Sequence, residues 1–153
     1  CEQYGPELYP RYKRWCDEYF RNTHRDNEAR GVGGVFFDHL REGEAGLSFE
    51  ALHRFVNAIG RVLPEAYGSI VARRREQPWG ERERALQTFR RGRYAEFNLL
   101  HDRGTSFGLQ SGARAESVLM SLPPVATWDY APVFAPGSEE AKLMDMLKPR
   151  DWA

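Results

Sequence analysis

RRGRYAEFNLLHDRGTSFGLQSGARAESVLMSLPP, residues 90–124, is the stretch on which the reading of the fold turns. Its alternation predicts a strand over Tyr94–Leu100. Ala95, Phe97 and Leu99 fall on one face and Tyr94, Glu96 and Asn98 on the other, the period of two expected of a half-buried strand. His101-Asp102-Arg103-Gly104 then fits a type I turn followed by a left-handed glycine. Thr105–Gln110 is the returning antiparallel strand. In a simple register Ser106 and Gly108 share a face with Glu96 and Asn98, making a shallow polar floor with Asp102 and Arg103 at its edge.

An aspartate that starts a turn and an outward arginine need no ligand to explain them. The polar floor beside them favours binding, because an ionised carboxylate there accepts several charge-assisted N–H bonds from one ligand. Ser111-Gly112-Ala113-Arg114 leads into a short helix over about Ala115–Ser121. The unpaired first N–H groups of that helix, with Arg114, suit a carboxylate. The same residues also fit an ordinary loop-to-helix cap. The pattern points to a ligand carrying both N–H donors and carboxylates.

Working outward, Tyr12, Trp15, Cys16, Tyr19 and Phe20 form one apolar helical face, with Pro10 in the first turn. Val32–Asp38 reads as a strand, and the glycines of GVGG suggest close backbone approach or a bulge. Ser48 caps a helix that ends at Gly60, Pro64 opens another, and a third runs from Glu81 to Arg91 with Gly92 as its stop. Ser138 caps a last helix through Leu147. Helices flanking an antiparallel sheet make this an α+β fold.

The 153 residues suit one domain, and 22 Lys and Arg balance 22 Asp and Glu. A neutral chain carries no nucleic-acid footprint, and no run is long and apolar enough to cross a membrane. The positive charge is nearly all arginine, clustered at Arg73, Arg74, Arg75, Arg90, Arg91 and Arg93. The first run reads as a solvated helix end. Cys1 and Cys16 make neither a disulfide scaffold nor a zinc site by spacing, and Cys16 falls in an apolar stripe. No nucleophilic triad or phosphate loop is visible. His24, His39 and His53 lack partners at metal-ligand spacing.

Three blocks resemble oxygen-dependent coproporphyrinogen III oxidase of the bacterial type. They are YPRYKRWCDEYF with HR and EARGVGGVFFDHL after it, the stretch over residues 90–124, and the closing PRDWA. The resemblance implies a large antiparallel sheet flanked by helices, of which residues 1–153 form the C-terminal portion of a single domain. It implies oxidative decarboxylation of two propionates of coproporphyrinogen III to vinyl groups, giving protoporphyrinogen IX in haem biosynthesis. O2 is the co-substrate with no further cofactor required, the enzyme is a cytoplasmic homodimer, and Tyr94 to about Asp129 matches the dimerisation region.

By the same resemblance Asp102 accepts from the pyrrole N–H groups, Arg103 balances charge beside it, and Gly112-Ala113-Arg114 holds a propionate. His24 aligns with a ligand of a divalent metal, Mn or Mg, in bacterial members. Ala113 replaces a glycine, where a left-handed backbone would be strained, and His101 replaces an aromatic. The family's N-terminal half, with its proton-donor histidine, has no counterpart in these residues, so the chain is expected to be inactive alone. The alternative is a non-catalytic tetrapyrrole- or anion-binding and dimerisation module.

Overall fold

A computed structural model describes residues 1–152. Its helices are α1 (Leu8–Tyr19), α2 (Phe49–Arg74), α3 (Glu81–Leu100), α4 (Arg103–Gln110), α5 (Ala115–Leu119) and α6 (Glu139–Met146). Strands β1 (Arg21–Asn22) and β2 (Glu28–Ala29) pair antiparallel, Arg21 facing Ala29 and Asn22 facing Glu28. The fold is α+β, helix-rich with this small sheet. Two compact units divide the chain. One comprises Cys1–Glu18, Gly33–Pro78 and the residues from Asp151; the other comprises Tyr19–Val32 and Trp79–Arg150.

The expected hairpin is a pair of helices. α3 runs through Gly92 to Leu100, and α4 begins three residues on. Phe89, Gly92, Arg93 and Phe97 are all buried at helical spacing. Leu99 decides between the two periods. A strand would bury it beside Phe97, yet it is 51 % exposed while Phe97 is 1 % exposed. Ala95 and Phe97 satisfy both patterns; exposed Leu99 and buried Asn98 separate them.

Gly92 is no stop signal. A Cβ there would lie 2.6 Å from the Thr127 carbonyl oxygen and 3.3 Å from the Trp128 indole, so glycine lets the chain after α5 lie directly on α3. Gly92→Ala improves helix propensity by about 1 kcal/mol, but the clash is with backbone and overpacking costs more. A net loss of about 1–3 kcal/mol is expected in urea unfolding.

Around α3 the second unit is held by arginines. Arg30 sits over Phe20, Tyr94 and Phe97 with its guanidinium 4.3, 4.7 and 4.6 Å from the ring centres. Arg90 donates to Glu28 and to the Ala29 and Arg30 carbonyls. Fully buried Asn22 donates to the Arg93 carbonyl at 3.2 Å. These bonds tie the β1–β2 segment to α3. Leu147, also fully buried, accepts from the Ala29 amide at 3.0 Å.

In the first unit Leu8, Tyr12 and Phe55 form the buried centre, with Val35, Phe37 and Leu40 against it. Tyr12 meets Phe37 at 5.2 Å and Phe37 meets Phe55 at 5.3 Å between ring centres. Burial, reinforced by the Glu44 carboxylate that the phenol donates to at 3.1 Å, pushes Tyr12 up to about 12. Val32–Asp38 forms no ladder; its order comes from the side chains of Val35 and Phe37 and one bond from the Phe36 amide to the Tyr12 carbonyl. Gly33 does mark a close approach, since a Cβ would lie 2.9 Å from Cys16 Sγ. Cys16 is buried, as its stripe implies.

The caps at Ser48 and Ser138 are present, their hydroxyls accepting from the Ala51 and Ala141 amides. The stop expected at Gly60 and the start at Pro64 are absent, because α2 is continuous through both. The apolar positions Val56, Ile59, Leu63, Tyr67 and Ile70 stay in phase across the proline. α2 therefore reads as one long helix.

Candidate functional site

Asp102 stands at the junction of two helices, where a hairpin tip was expected. It is the N-cap of α4, and its Oδ1 accepts from the Thr105 amide at 2.8 Å. Asp and Asn are favoured there because the side chain satisfies an amide that has no partner in the helix. Gly104 completes the turn, a Cβ being 3.0 Å from the same Oδ1. No protein donor among the described residues takes the second carboxylate oxygen. Asp102 thus retains an acceptor for a ligand N–H while its other oxygen holds it in place.

Arg103 is exposed. Its Nε lies 3.5 Å from the Tyr19 hydroxyl and its guanidinium 5.3 Å from the Tyr19 ring centre.

Gly112, Ala113 and Arg114 follow the other end of α4. Gly112 has φ +76°, and the Ala113 amide donates to the Gly108 carbonyl at 3.2 Å, a Schellman termination with glycine at its left-handed position. Ala113 has no positive φ, so the strain expected of it does not arise; Gly112 carries the left-handed turn. Gly112→Ala is expected to cost about 1–2 kcal/mol in thermal unfolding and to loosen the approach to Arg114, whereas Ala113→Gly brings no gain in stability.

Arg114 is an exposed N-cap residue of α5, a helix of five residues. So short a helix sums too few peptide dipoles to make an anion site by itself. By helix rise, the eight residues of α4 set Asp102 and the Gly112–Arg114 segment about 12 Å apart. They flank the two ends of one short helix.

The residues most tightly organised by tertiary contacts are ones the sequence reading placed on a strand face or passed over. Glu96, with its side chain 10 % exposed, accepts from His24 Nε2 (3.0 Å), Arg25 Nε and Nη2 (2.5 and 2.6 Å), Arg93 Nη1 (3.2 Å) and Trp128 Nε1 (2.7 Å). Burial pulls its acidity the other way. The Arg25 and His24 hydrogen bonds with the Arg93 charge prevail and hold Glu96 at about 2. Burial depresses Arg93, and the Arg25 charge adds to this; Glu96 and Glu28 act against it. The only sequence signal for this hub was the i, i+3 spacing of Arg93 and Glu96 on what proves to be a helix.

His24 belongs to that hub. Its Nε2 faces Glu96, its Nδ1 lies 3.0 Å from His101 Nε2, and the two rings are 5.2 Å apart. Both ring nitrogens are committed to hydrogen bonds. Among the described residues no three His, Cys, Asp or Glu groups are arranged to hold a metal ion. Mn and Mg also favour oxygen-rich sets. His24 does not fit a divalent-metal site in this arrangement.

A carboxylate oxygen without a protein donor, two exposed guanidiniums and a glycine turn lie along and just beyond one helix, α4. The family model described as Coproporphyrinogen III oxidase matches residues 1–152. The chain belongs to the coproporphyrinogen III oxidase family. Membership implies an oxidoreductase of haem biosynthesis that oxidatively decarboxylates coproporphyrinogen III. No described helix is long and apolar enough to cross a membrane.

Proposed function

We propose that this chain is the C-terminal portion of an oxygen-dependent, bacterial-type coproporphyrinogen III oxidase, a cytoplasmic homodimer that converts two propionates of its substrate to vinyl groups. In each conversion the propionate loses CO2 and a hydride equivalent. O2 takes that hydride and one proton from solvent to become H2O2, so atoms and electrons balance without a bound redox group. A porphyrinogen carries pyrrole N–H donors at its centre and carboxylates at its rim. Asp102 accepts from the pyrrole N–H groups through its free oxygen, Arg103 offsets its charge, and Arg114 beside the Gly112–Ala113 turn takes a rim propionate.

The observation that carries this reading is the separation along α4. An acceptor at one end and the Gly112–Arg114 segment about 12 Å along the helix axis suit a flat ligand whose N–H groups and carboxylates are likewise apart. Neither oxygen dependence nor the two-propionate course follows from that geometry; they rest on the resemblance of residues 90–124.

The test is aerobic and anaerobic conversion of coproporphyrinogen III by the chain alone and by the chain joined to a family N-terminal half. The joined protein is expected to consume one O2 per propionate and the chain alone to be inactive. Near-normal turnover in Asp102→Ala and Arg114→Ala, or equal turnover without O2, would sink the reading. Porphyrin binding lost in Asp102→Ala, with no turnover in any form, would favour the non-catalytic module.

A further inference from the structure

α2 leaves its core halfway along. Leu52 and Phe55 are buried and Ile59 packs against the same cluster, yet every residue from 60 to 80 is exposed. The uncovered part is not polar. Val62, Leu63, Ala66, Tyr67, Ile70 and Val71 fall within about half of the helix circumference. Arg61, Glu65, Ser69 and Ala72 make the opposite side. An uncovered helix of this length is marginal in water. Pro64 weakens it further, because it offers no N–H to the Gly60 carbonyl. Such an arm gains stability where its apolar half is covered.

Charge identifies what covers it. Residues 60–76 carry Arg61, Arg73, Arg74 and Arg75 against Glu65 and Glu76, a net +2 in a chain of zero net charge. Among the described residues Arg61 and Arg73 have no partner, Arg74 reaches only Gln77, and Arg75 reaches only its neighbour Glu76. Tyr67 and, just past the helix, Trp79 are largely exposed, aromatic rings with a polar end that settle at headgroup level in a bilayer. A second copy would pair along a narrow seam and leave much of so wide an arc wet, and two net-positive arms repel. A flat anionic surface covers the whole arc. It also pairs the arginines, whose stems reach from the apolar side to the headgroups.

We propose that residues 60–79 are an interfacial arm that lies on an anionic phospholipid surface, its apolar half against the acyl chains and its arginines at the lipid phosphates. The arm lies in the plane of the surface; it is not long and apolar enough to cross it. This goes beyond the proposed function and needs nothing from it.

Co-sedimentation of the full chain with phosphatidylcholine vesicles, with and without phosphatidylglycerol, tests it. Binding is expected to be strong with phosphatidylglycerol, weak without it, and weaker as salt rises. Leu63→Glu puts a charge at the centre of the arc and should weaken binding at least about 10-fold. Replacing Arg73, Arg74 and Arg75 together by Gln should weaken it about 100-fold. All four residues are exposed, so urea unfolding should hardly move. Val133→Glu, at an apolar site 94 % exposed and outside the arm, should bind like the parent. Equal binding to both vesicles, binding to neither, or a loss in Val133→Glu as large as in Leu63→Glu would overturn the proposal. A stable dimer that Leu63→Glu splits, without vesicle binding, would give the face to a second copy and overturn it too. So would vesicle binding that disappears when a family N-terminal half is joined, since that half would then cover the arm.

Discussion

Asp102→Asn is expected to leave α4 capped and to abolish most of the conversion of coproporphyrinogen. Asn and Asp cap helices about equally well, and an Asn oxygen can still accept from the Thr105 amide that Asp102 holds at 2.8 Å. Stability should therefore change by less than about 0.5 kcal/mol. The ligand role does not survive. A neutral amide loses the charge that strengthens N–H bonds from a pyrrole, and it cannot balance positive charge developing on the macrocycle.

A loss of about 100-fold or more in kcat/KM is expected. Asp102→Ala should add a capping cost of about 1 kcal/mol that urea unfolding detects, so the pair of variants separates the two duties of one carboxylate. Steady-state turnover and equilibrium porphyrin binding check the result. An Asn variant with normal turnover would remove Asp102 from the site.

The second large effect lies at Glu96. In the folded chain it is held at about 2 against an ordinary value of 4.5. A depressed carboxylate contributes stability that is fully present above its unfolded pKa. That contribution is lost as pH falls through the folded value, here between about pH 4.5 and 2. The shift corresponds to about 3 kcal/mol.

Glu96→Gln removes the charge at every pH and leaves Arg93, whose side chain is 4 % exposed, with Glu28 at 3.7 Å as its remaining carboxylate. Breaking such a buried pair costs about 3–5 kcal/mol, and half-buried Arg25 moderates it to the lower end. Urea unfolding at pH 7 should show a loss of about 3 kcal/mol. At pH 2.5 the difference should have fallen to about 1 kcal/mol or less. A constant difference at both pH values would show that the carboxylate's charge is not what holds the network. Glu83, Glu140 and Asp145 are also depressed by their donors, but their charges stand in both proteins and cancel in the comparison.

How the helices begin and end was legible wherever one residue decides it locally. Ser48 and Ser138 each satisfy an amide three residues on, and that bond needs nothing from the rest of the molecule. The apolar stripe of α1 was likewise visible, as Tyr12 and Cys16 are buried. At Gly60 and Gly92 the same local reasoning failed, since glycine stops a helix only when the chain gains by leaving it. At Gly92 it marks the crossing of Thr127 and Trp128, residues a sequence window does not include.

For the site, the residue types around Asp102 and Arg114 already spoke for a ligand with N–H groups and carboxylates, and the blocks carrying them pointed to the family. Their local conformation was misread. Seven residues, Tyr94–Leu100, satisfy a period of two nearly as well as one of 3.6, and the burial of Phe97 against the exposure of Leu99 breaks the tie. Burial depends on what packs against the segment. Glu96 was invisible as a hub for the same reason, since His24 and Arg25 reach it across 72 and 71 positions.

By itself the sequence determined the neutral, arginine-rich surface chemistry, the serine caps and the membership of residues 1–152 in one family. Those depend on side-chain identity and on bonds spanning a few residues. Tertiary structure alone decided that residues 94–100 and 103–110 are helical, that His24 gives both nitrogens to hydrogen bonds, and that Glu96 stays ionised. Each of these is set by desolvation and by partners brought from far along the chain, which no local pattern encodes.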